Sequence, residues 1–419
     1  MTSVSKLGPD FALMGVKPDG SVKMTQNSGH PHRFEALDAL RGICALLIVF
    51  FHIPVHHVLK DVPTFANLQV CVDVFFVLSG FVLYHAYGQR LTSRTDGVRF
   101  MTRRFLRLWP LHVVMLGLLA LLDLAKLAYG QSDTGFAMDA QPFSQGHSAW
   151  EIVTNLAFLQ SFGLHPGMSW NGPAWSAAVE FYVSILFAAL ILAFPRHHLP
   201  VFLILGIAAA LALHTLTPTP LSASTDWGVL RAVVGVFAGG LVCAMRRPAS
   251  GPLRRASLLE TGFLAVLVGC AVLLPVGGLQ ILLLPPICGL IYVLSFDDGV
   301  VSRVFRTRWL QSLGLWSYSV YMIHCFVFQV AKTAMTFIGR KTGLDLVVWH
   351  NQEKLVQIGT PEQALLPAII LSIALVVPLA AFTYRWIERP AMTPSAWRLL
   401  KRPGRATPNA APVAPAALA

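Results

Sequence analysis

Charged side chains are scarce in this sequence. Aspartate, glutamate, lysine and arginine together make up 12% of the 419 residues, whereas hydrophobic residues make up 55%. Because a soluble domain carries about 25% charged residues, this deficit excludes an ordinary soluble protein. The composition predicts an all-α, polytopic membrane helical bundle, in which long apolar helices face lipid.

The motifs of common soluble enzymes are also missing. The sequence has no GxSxG, no Walker P-loop, no HExxH and no GxGxxG after a strand. No cysteines have CxxC spacing, and all six lie in apolar runs, which is typical of small buried side chains rather than of disulfides or a metal site. We therefore expect no metal, and we look for the chemistry in the few ionisable residues of the apolar runs.

The two ends of the chain are polar and rich in small residues. Residues 1–33 contain Pro9, Pro18 and Pro31 and lack the short apolar core of a secretory signal peptide. They are predicted to form a disordered cytoplasmic tail. Residues 34–390 are predicted to form the membrane domain, and residues 391–419, rich in proline and alanine, a second disordered tail.

Ten apolar runs approach the length of about 20 residues that a helix needs to cross the hydrocarbon core. The predicted spans lie near residues 36–56, 68–87, 109–128, 173–194, 199–216, 227–245, 258–275, 278–296, 313–337 and 364–387. Nine or eleven spans are alternatives, because the fifth and seventh runs are short and Pro285 and Pro286 interrupt the eighth.

Basic residues alternate between successive loops. The segment 88–108 contains six arginines, whereas the segment 129–172 contains neither lysine nor arginine. Since lysine and arginine are enriched in cytoplasmic loops, the alternation predicts that both termini are cytoplasmic. It also accounts for most of the net charge of +12, without nucleic acid as a partner. The loop 338–363, with three basic residues on the predicted outer side, is a mild exception.

The first span carries ionisable residues at both ends, in the stretch LDALRGICALLIVFFH. Arg41 and His52 are eleven residues apart, so on a straight helix they lie about 16 Å apart along the axis and face the same side. Ionisable groups within a membrane span are costly and mark function by default. In the predicted orientation, Arg41 lies near the cytoplasmic surface and His52 in the outer half.

Two carboxylates from other spans are expected at the depth of His52. Asp73 in the second span and Glu180 in the fourth both fall in the outer half, and Ser79 falls near the middle. A histidine next to a carboxylate can act as a general base, because the carboxylate fixes the tautomer and stabilises the imidazolium. The predicted catalytic residues are therefore His52, Asp73 and Glu180.

Arginines form a predicted anion site at the inner side. Arg104 and Arg107 are separated by three residues and so share one face of a helical turn. Together with Arg41 they could bind the phosphates of a nucleotide-like cofactor, because guanidinium groups match phosphate geometry. The structural alternative is that each arginine only anchors its helix at the membrane interface.

Six motifs resemble the acyltransferase-3 family of integral-membrane O-acyltransferases, which includes polysaccharide O-acetyltransferases of bacterial surfaces. The motifs, in chain order, are FEALDALRGICALLIVFFH, VDVFFVLSGFVL, RRFLRLWPLH, PAWSAAVEFY, SYSVYMIH and YRWIERP. They follow the family's order and cover about residues 34–390. The fourth motif departs from many relatives, which have a more polar middle than WSAAVE.

This resemblance implies a ten-helix domain that takes an acyl group, most simply acetyl, from cytoplasmic acyl-CoA. The group is delivered to a hydroxyl of a cell-surface or lipid-linked carbohydrate across a bacterial inner membrane. By position, the family's functional residues correspond to Arg41, His52, Arg104, Arg107, Trp175 and Glu180.

The expected roles of the residues follow the length of acyl-CoA. The phosphates lie at one end of the pantetheine arm and the thioester at the other, so the cofactor is expected to contact Arg41, Ser79, Arg104 and Arg107. His52 would take the proton from the acceptor hydroxyl, with Glu180 or Asp73 orienting it. The acceptor is expected to contact Trp175, Tyr182 and His324; the structural alternatives are an interface tryptophan and a core histidine.

Two other functions are compatible with the sequence. A proton-coupled transporter of a glycan or lipid-linked precursor would use His52, Asp73 and Glu180 as a proton relay. However, no pair of interrupted helices occupies matching positions in the two halves of the sequence. Alternatively, the enzyme acylates a small secondary metabolite that arrives from the cytoplasm. An inert scaffold would not bury so many ionisable groups.

Overall fold

The computed structural model describes residues 33–128, 142–144, 146–246, 253–350 and 353–393. Its α-helices, numbered α1 to α13 in chain order, are Glu35–His52, Val70–Tyr87, Arg94–Ala128, Ala149–Leu156, Ala174–Ala193, His198–Leu216, Gly228–Met245, Ala256–Leu273, Leu284–Leu294, Val300–Phe305, Arg308–Thr342, Pro361–Thr383 and Arg389–Ala391. Two strands, β1 (Val347–His350) and β2 (Glu353–Val356), form an antiparallel hairpin. Most of the two predicted tails lies outside the described residues.

Eight helices in the described ranges are long and apolar enough to cross a membrane. They correspond to eight of the ten predicted spans. The other two predicted spans are also helical: α1 has 18 residues and includes three charged ones, and the eighth span is the shorter segment Gly278–Leu294. The protein is thus an all-α, multi-pass integral membrane protein, as the composition predicted.

Two helices are much longer than the sequence predicted. α3 and α11 each contain 35 residues, or about 52 Å at 1.5 Å per residue, whereas the hydrocarbon core is about 30 Å thick. The third span was predicted to start at residue 109, but α3 begins at Arg94 and continues through Pro110. The extension is possible because arginine is a good helix former, and it projects a basic segment beyond the apolar one.

Glycines allow the backbones of α2 and α7 to come into direct contact where the two helices cross. A Cβ atom added to Gly80 would lie 1.9 Å from the Val236 carbonyl oxygen, and one added to Gly239 would lie 1.9 Å from the Val77 carbonyl oxygen. Gly235 and Gly239 form a GxxxG pattern, which lets two backbones approach within an apolar medium. α2 is therefore fixed tightly against α7.

A second glycine contact joins α1 to α11. A Cβ atom on Gly42 would lie 2.6 Å from the backbone nitrogen of Gly314. This contact packs α1, which carries Arg41 and His52, directly along α11. It thereby determines which residues of α11 lie next to the ionisable face of α1.

The β hairpin is attached to the segment that follows α1. The His56 N–H donates to the Val356 carbonyl oxygen at 3.1 Å, and the Val356 N–H donates to the Pro54 carbonyl oxygen at 2.7 Å. The hairpin was not predicted, because the sequence pattern of residues 338–363 indicated only a loop. It covers the end of α1 where His52 lies.

Gly239→Ala is expected to destabilise the protein. Alanine normally stabilises a helix by about 0.5–1 kcal/mol relative to glycine. At this position, however, the added Cβ would overlap a backbone oxygen of α2, and overpacking costs about 1–3 kcal/mol. The expected result is a lower Tm of the detergent-solubilised protein, measured by thermal unfolding.

The matched control is Gly117→Ala on α3, where an added Cβ meets no heavy atom within 4 Å. Its Tm should stay unchanged or rise. An unchanged Tm for Gly239→Ala would contradict the close crossing of α2 and α7.

Candidate active site

A cavity of about 820 Å³ lies between α2, α3, α5 and α11. Along α2 it extends from Phe75 to Tyr87, a distance of about 18 Å along the helix axis. Binding sites for small molecules and cofactors typically have volumes of about 300–1,000 Å³. The cavity is therefore large enough for an elongated cofactor that lies parallel to the helices.

Five arginines line this cavity, namely Arg41, Arg99, Arg103, Arg104 and Arg107. Arg41 donates a hydrogen bond to Asp38 at 3.1 Å, and Arg99 lies 3.7 Å from an Asp96 oxygen. Arg107 makes no hydrogen bond or ion pair with the described residues. The structure thus brings together the three arginines that the sequence predicted as an anion site, and one of them has its guanidinium available to a ligand.

Glu180 belongs to the cavity wall and not to the surroundings of His52. Its Oε1 atom forms an ion pair with Arg104 and accepts a hydrogen bond of 2.6 Å from Ser79. Arg104 also donates to Ser184 at 3.1 Å. Neither Glu180 oxygen bonds to His52, so the predicted contact between the two residues is wrong. Depth along a straight helix does not show which partner a side chain faces.

Asp73 is also separate from His52. Both of its carboxylate oxygens accept hydrogen bonds from Arg231 on α7, each at 2.8 Å. Arg231 donates further to the carbonyl oxygens of Gln69 at 2.9 Å and Ala223 at 3.2 Å. The structure therefore does not place Asp73 beside His52, because both of its oxygens are used to join α2 to α7.

All three predicted acceptor residues, Trp175, Tyr182 and His324, lie outside the cavity lining. The Trp175 ring is buried and stands 5.5 Å from the Arg231 guanidinium carbon. The Tyr182 hydroxyl donates to the Ala157 carbonyl oxygen at 2.9 Å. Neither ring is among the residues that line the cavity. Both rings pack against protein rather than against the cavity, and their predicted contact with the acceptor stays a prediction.

His52 lies beside His324 instead of beside a carboxylate. The two ring centroids are 5.1 Å apart. The Nδ1 atom of His52 lies 2.9 Å from the Ile48 carbonyl oxygen, and that of His324 lies 2.6 Å from the Tyr321 carbonyl oxygen. A carbonyl oxygen only accepts, so each Nδ1 carries the proton, and each Nε2 carries the lone pair when the ring is neutral.

Tyr321 separates the cavity from this histidine pair. Its side chain lines the cavity, and its ring centroid is 5.9 Å from that of His324. The Tyr321 oxygen accepts a hydrogen bond of 2.8 Å from Ser176. The single Ser176 proton is shared with the Pro173 carbonyl oxygen at 3.2 Å; when Ser176 donates to Tyr321, the Tyr321 O–H can donate to a bound ligand. The end of the cavity is therefore a polar wall directly in front of the two histidines.

Several cavity residues were missed by the sequence analysis. Arg99 and Arg103 precede the predicted Arg107 at intervals of four, which places all three on one face of α3 and was a usable signal. Tyr318 and Tyr321 are separated by three residues within SYSVYMIH, so they also share a face. Tyr318 donates to the Leu108 carbonyl oxygen at 2.5 Å, which fixes its ring in the cavity wall.

The chain is similar to known proteins over the membrane domain that contains the cavity. The family model described as an acyltransferase domain matches residues 34–385. Protein 2 in the picA locus of Rhizobium radiobacter is 36% identical over 162 residues, 38% of this chain and 82% of the relative. Acyltransferase MdmB of Streptomyces mycarofaciens is 30% identical over 165 residues, 37% of this chain and 38% of the relative.

A further relative is a Bacillus subtilis protein provisionally named the peptidoglycan O-acetyltransferase YrhL. It is 26% identical over 399 residues, which cover 88% of this chain and 56% of the relative. No solved structure matches the chain. The family match spans most of the chain and includes α1, α2, α3, α5 and α11, which line the cavity. The chain therefore belongs to the acyltransferase-3 family and is an integral-membrane O-acyltransferase.

Proposed function

We propose that this enzyme transfers an acyl group, in the simplest case acetyl, from cytoplasmic acyl-CoA to a hydroxyl of a cell-surface or lipid-linked carbohydrate. The observation that supports the proposal is a single cavity with arginines along one end and a histidine pair behind the other. The membrane is expected to be a bacterial inner membrane, with the arginine end of the cavity facing the cytoplasm.

The arginine end suits the phosphates of coenzyme A. Arg107 has no ion-pair partner among the described residues, while Arg103 lies one helical turn before it and also lines the cavity. Guanidinium groups bind phosphate oxygens with two parallel hydrogen bonds, which are stronger than neutral ones. We therefore assign phosphate binding to Arg107 and Arg103. Arg104 is held by Glu180 and serves mainly to shape the wall.

The middle of the cavity suits the pantetheine arm. Its walls include Phe76, Val82 and Leu83 on α2 together with the Ser79 hydroxyl. These apolar side chains match the methylene groups of the arm, whereas Ser79 is engaged with Glu180. An arm that runs about 18 Å along α2 would bring the thioester to Tyr321.

The histidine pair then supplies the base. In the neutral ring of His52 the Nε2 atom takes the proton of the acceptor hydroxyl, and the oxygen attacks the thioester carbonyl carbon. The Tyr321 O–H donates to the carbonyl oxygen as negative charge develops there. Collapse of the tetrahedral intermediate breaks the carbon–sulfur bond, and the proton on His52 passes to the departing thiolate. His324 lies beside His52 and orients its ring.

The proposal that the acceptor is a carbohydrate is supported by the name of a relative and not by the geometry of the site. The Bacillus subtilis relative is provisionally named for O-acetylation of peptidoglycan, and it aligns with 88% of this chain. An acceptor from the side of the membrane opposite the arginines would reach His52 without passing through the acyl-CoA cavity.

His52→Ala is expected to abolish acyl transfer while the protein still inserts into the membrane. A positioned general base contributes about 10²–10⁴-fold to the rate, so turnover should fall at least about 100-fold. The measurement compares surface glycans of cells that produce the wild type or the variant, using mass spectrometry to detect ester-linked acyl groups. Ester groups gained only with the wild type are the expected result.

The matched control is His197→Ala, which removes an exposed histidine between α5 and α6. This variant should modify glycans as the wild type does. Normal modification by His52→Ala would disprove the assigned base. If acyl groups were found only on small cytoplasmic metabolites, the acceptor would be a cytoplasmic molecule and not a surface carbohydrate.

Arg107→Gln is expected to weaken acyl-CoA binding without removing the base. A hydrogen bond to a charged group is worth about 1.5–3 kcal/mol, so the dissociation constant should rise about 10- to 150-fold. Isothermal titration of the solubilised protein with coenzyme A measures this change. Arg196→Gln, at an exposed arginine between α5 and α6, is the control and should bind like the wild type. If Arg107→Gln bound coenzyme A as tightly as the wild type, Arg107 would not be a phosphate ligand.

A further inference from the structure

A second cluster of ionisable side chains lies at the end of α1 that carries His52. It consists of His56, Asp61 and His350, whose potential ligand atoms all lie within 4.8 Å of one another. None of these residues lines the acyl-CoA cavity. We infer that the cluster binds a divalent transition-metal ion and, specifically, that it binds Zn²⁺.

The distances in the cluster suit this ion. The Nε2 atom of His350 lies 3.0 Å from Asp61 Oδ1, and the Nε2 atom of His56 lies 3.6 Å from the same oxygen. Zinc binds histidine nitrogen and carboxylate oxygen at about 2.0–2.2 Å in tetrahedral geometry, so its ligands stand about 3.4 Å apart. The three groups are thus close to ligand spacing without a rearrangement of the backbone.

The backbone around the cluster is fixed by two main-chain hydrogen bonds. His56 and Pro54 each bond to Val356 of β2, and Val55 forms a bridge with the same residue. His350 ends β1, where it pairs with residue 353 of β2. As a result, the rings of His56 and His350 lie with their centroids only 4.0 Å apart. The hairpin backbone therefore holds two imidazoles side by side next to the Asp61 carboxylate.

The His56 ring supports the inference independently of the ligand spacing. Its Nε2 atom is buried and has no hydrogen-bond partner among the described residues. Burying a polar nitrogen without a partner is costly. A metal ion bound to Nε2 would satisfy this atom, because metal coordination uses the same lone pair.

The donor set favours zinc over the abundant hard cations. Two imidazole nitrogens and one carboxylate oxygen are typical ligands of zinc, whereas magnesium and calcium prefer oxygen ligands. The Asp61 side chain is 45% exposed, so water can occupy the fourth position. The bound ion would join the loop after α1 to the hairpin, four residues beyond His52.

The test uses the full-length protein, purified in detergent without a histidine tag and stripped with a chelator. Zn²⁺ is titrated by calorimetry into the wild type, His350→Ala, Asp61→Asn and the control His197→Ala. We expect one Zn²⁺ per chain in the wild type and in the control. Removal of a ligand should weaken binding at least about 10-fold, since even outer-shell changes reach that size.

Thermal unfolding distinguishes loss of the site from loss of the fold. Saturating Zn²⁺ should raise the Tm of the wild type but not that of Asp61→Asn, a variant that keeps the shape of the side chain. No saturable binding by the wild type, or equal binding by wild type and the ligand variants, would overturn the inference. Equal stabilisation of wild type and Asp61→Asn would overturn it as well.

Discussion

A guanidinium group buried among apolar helices is costly unless a carboxylate or other acceptor pairs with it. This constraint organises the whole protein. Arg231 is held by Asp73, Arg104 by Glu180, and Arg41 by Asp38. The first two pairs join different helices and hold the bundle together around the cavity. Arg107 makes no hydrogen bond or ion pair of this kind in the described part of the chain, and it lines the cavity together with Arg103.

Tyr321 forms the end of the cavity and would separate bound acyl-CoA from the acceptor until the acyl group is transferred. The cavity ends at Tyr321, and the histidine pair lies behind it. Closing one end of the cavity would limit the access of water to a thioester bound there. The glycine contact between α1 and α11 holds this arrangement, since it places His52 against the turn of α11 that contains Tyr321 and His324.

Much of the fold could be predicted from the sequence, because apolar length alone identifies membrane spans. All ten predicted spans are helical, and the spacing of Arg104 and Arg107 correctly placed both on one wall. The partners of buried charges could not be predicted. Asp73 and Arg231 are 158 residues apart, and no spacing rule relates positions on different helices. The hairpin was missed for a related reason: its attachment depends on backbone bonds to a distant segment after α1.

The most direct test of the proposed acyl-CoA site is a structure with a thioether analogue of acetyl-CoA, determined by electron cryo-microscopy of the protein in a lipid nanodisc. The account predicts phosphate density against Arg107 and Arg103 and the sulfur atom next to Tyr321, on the side that faces His324 and His52. An analogue bound with its phosphates away from these arginines, or with its sulfur remote from Tyr321, would contradict it.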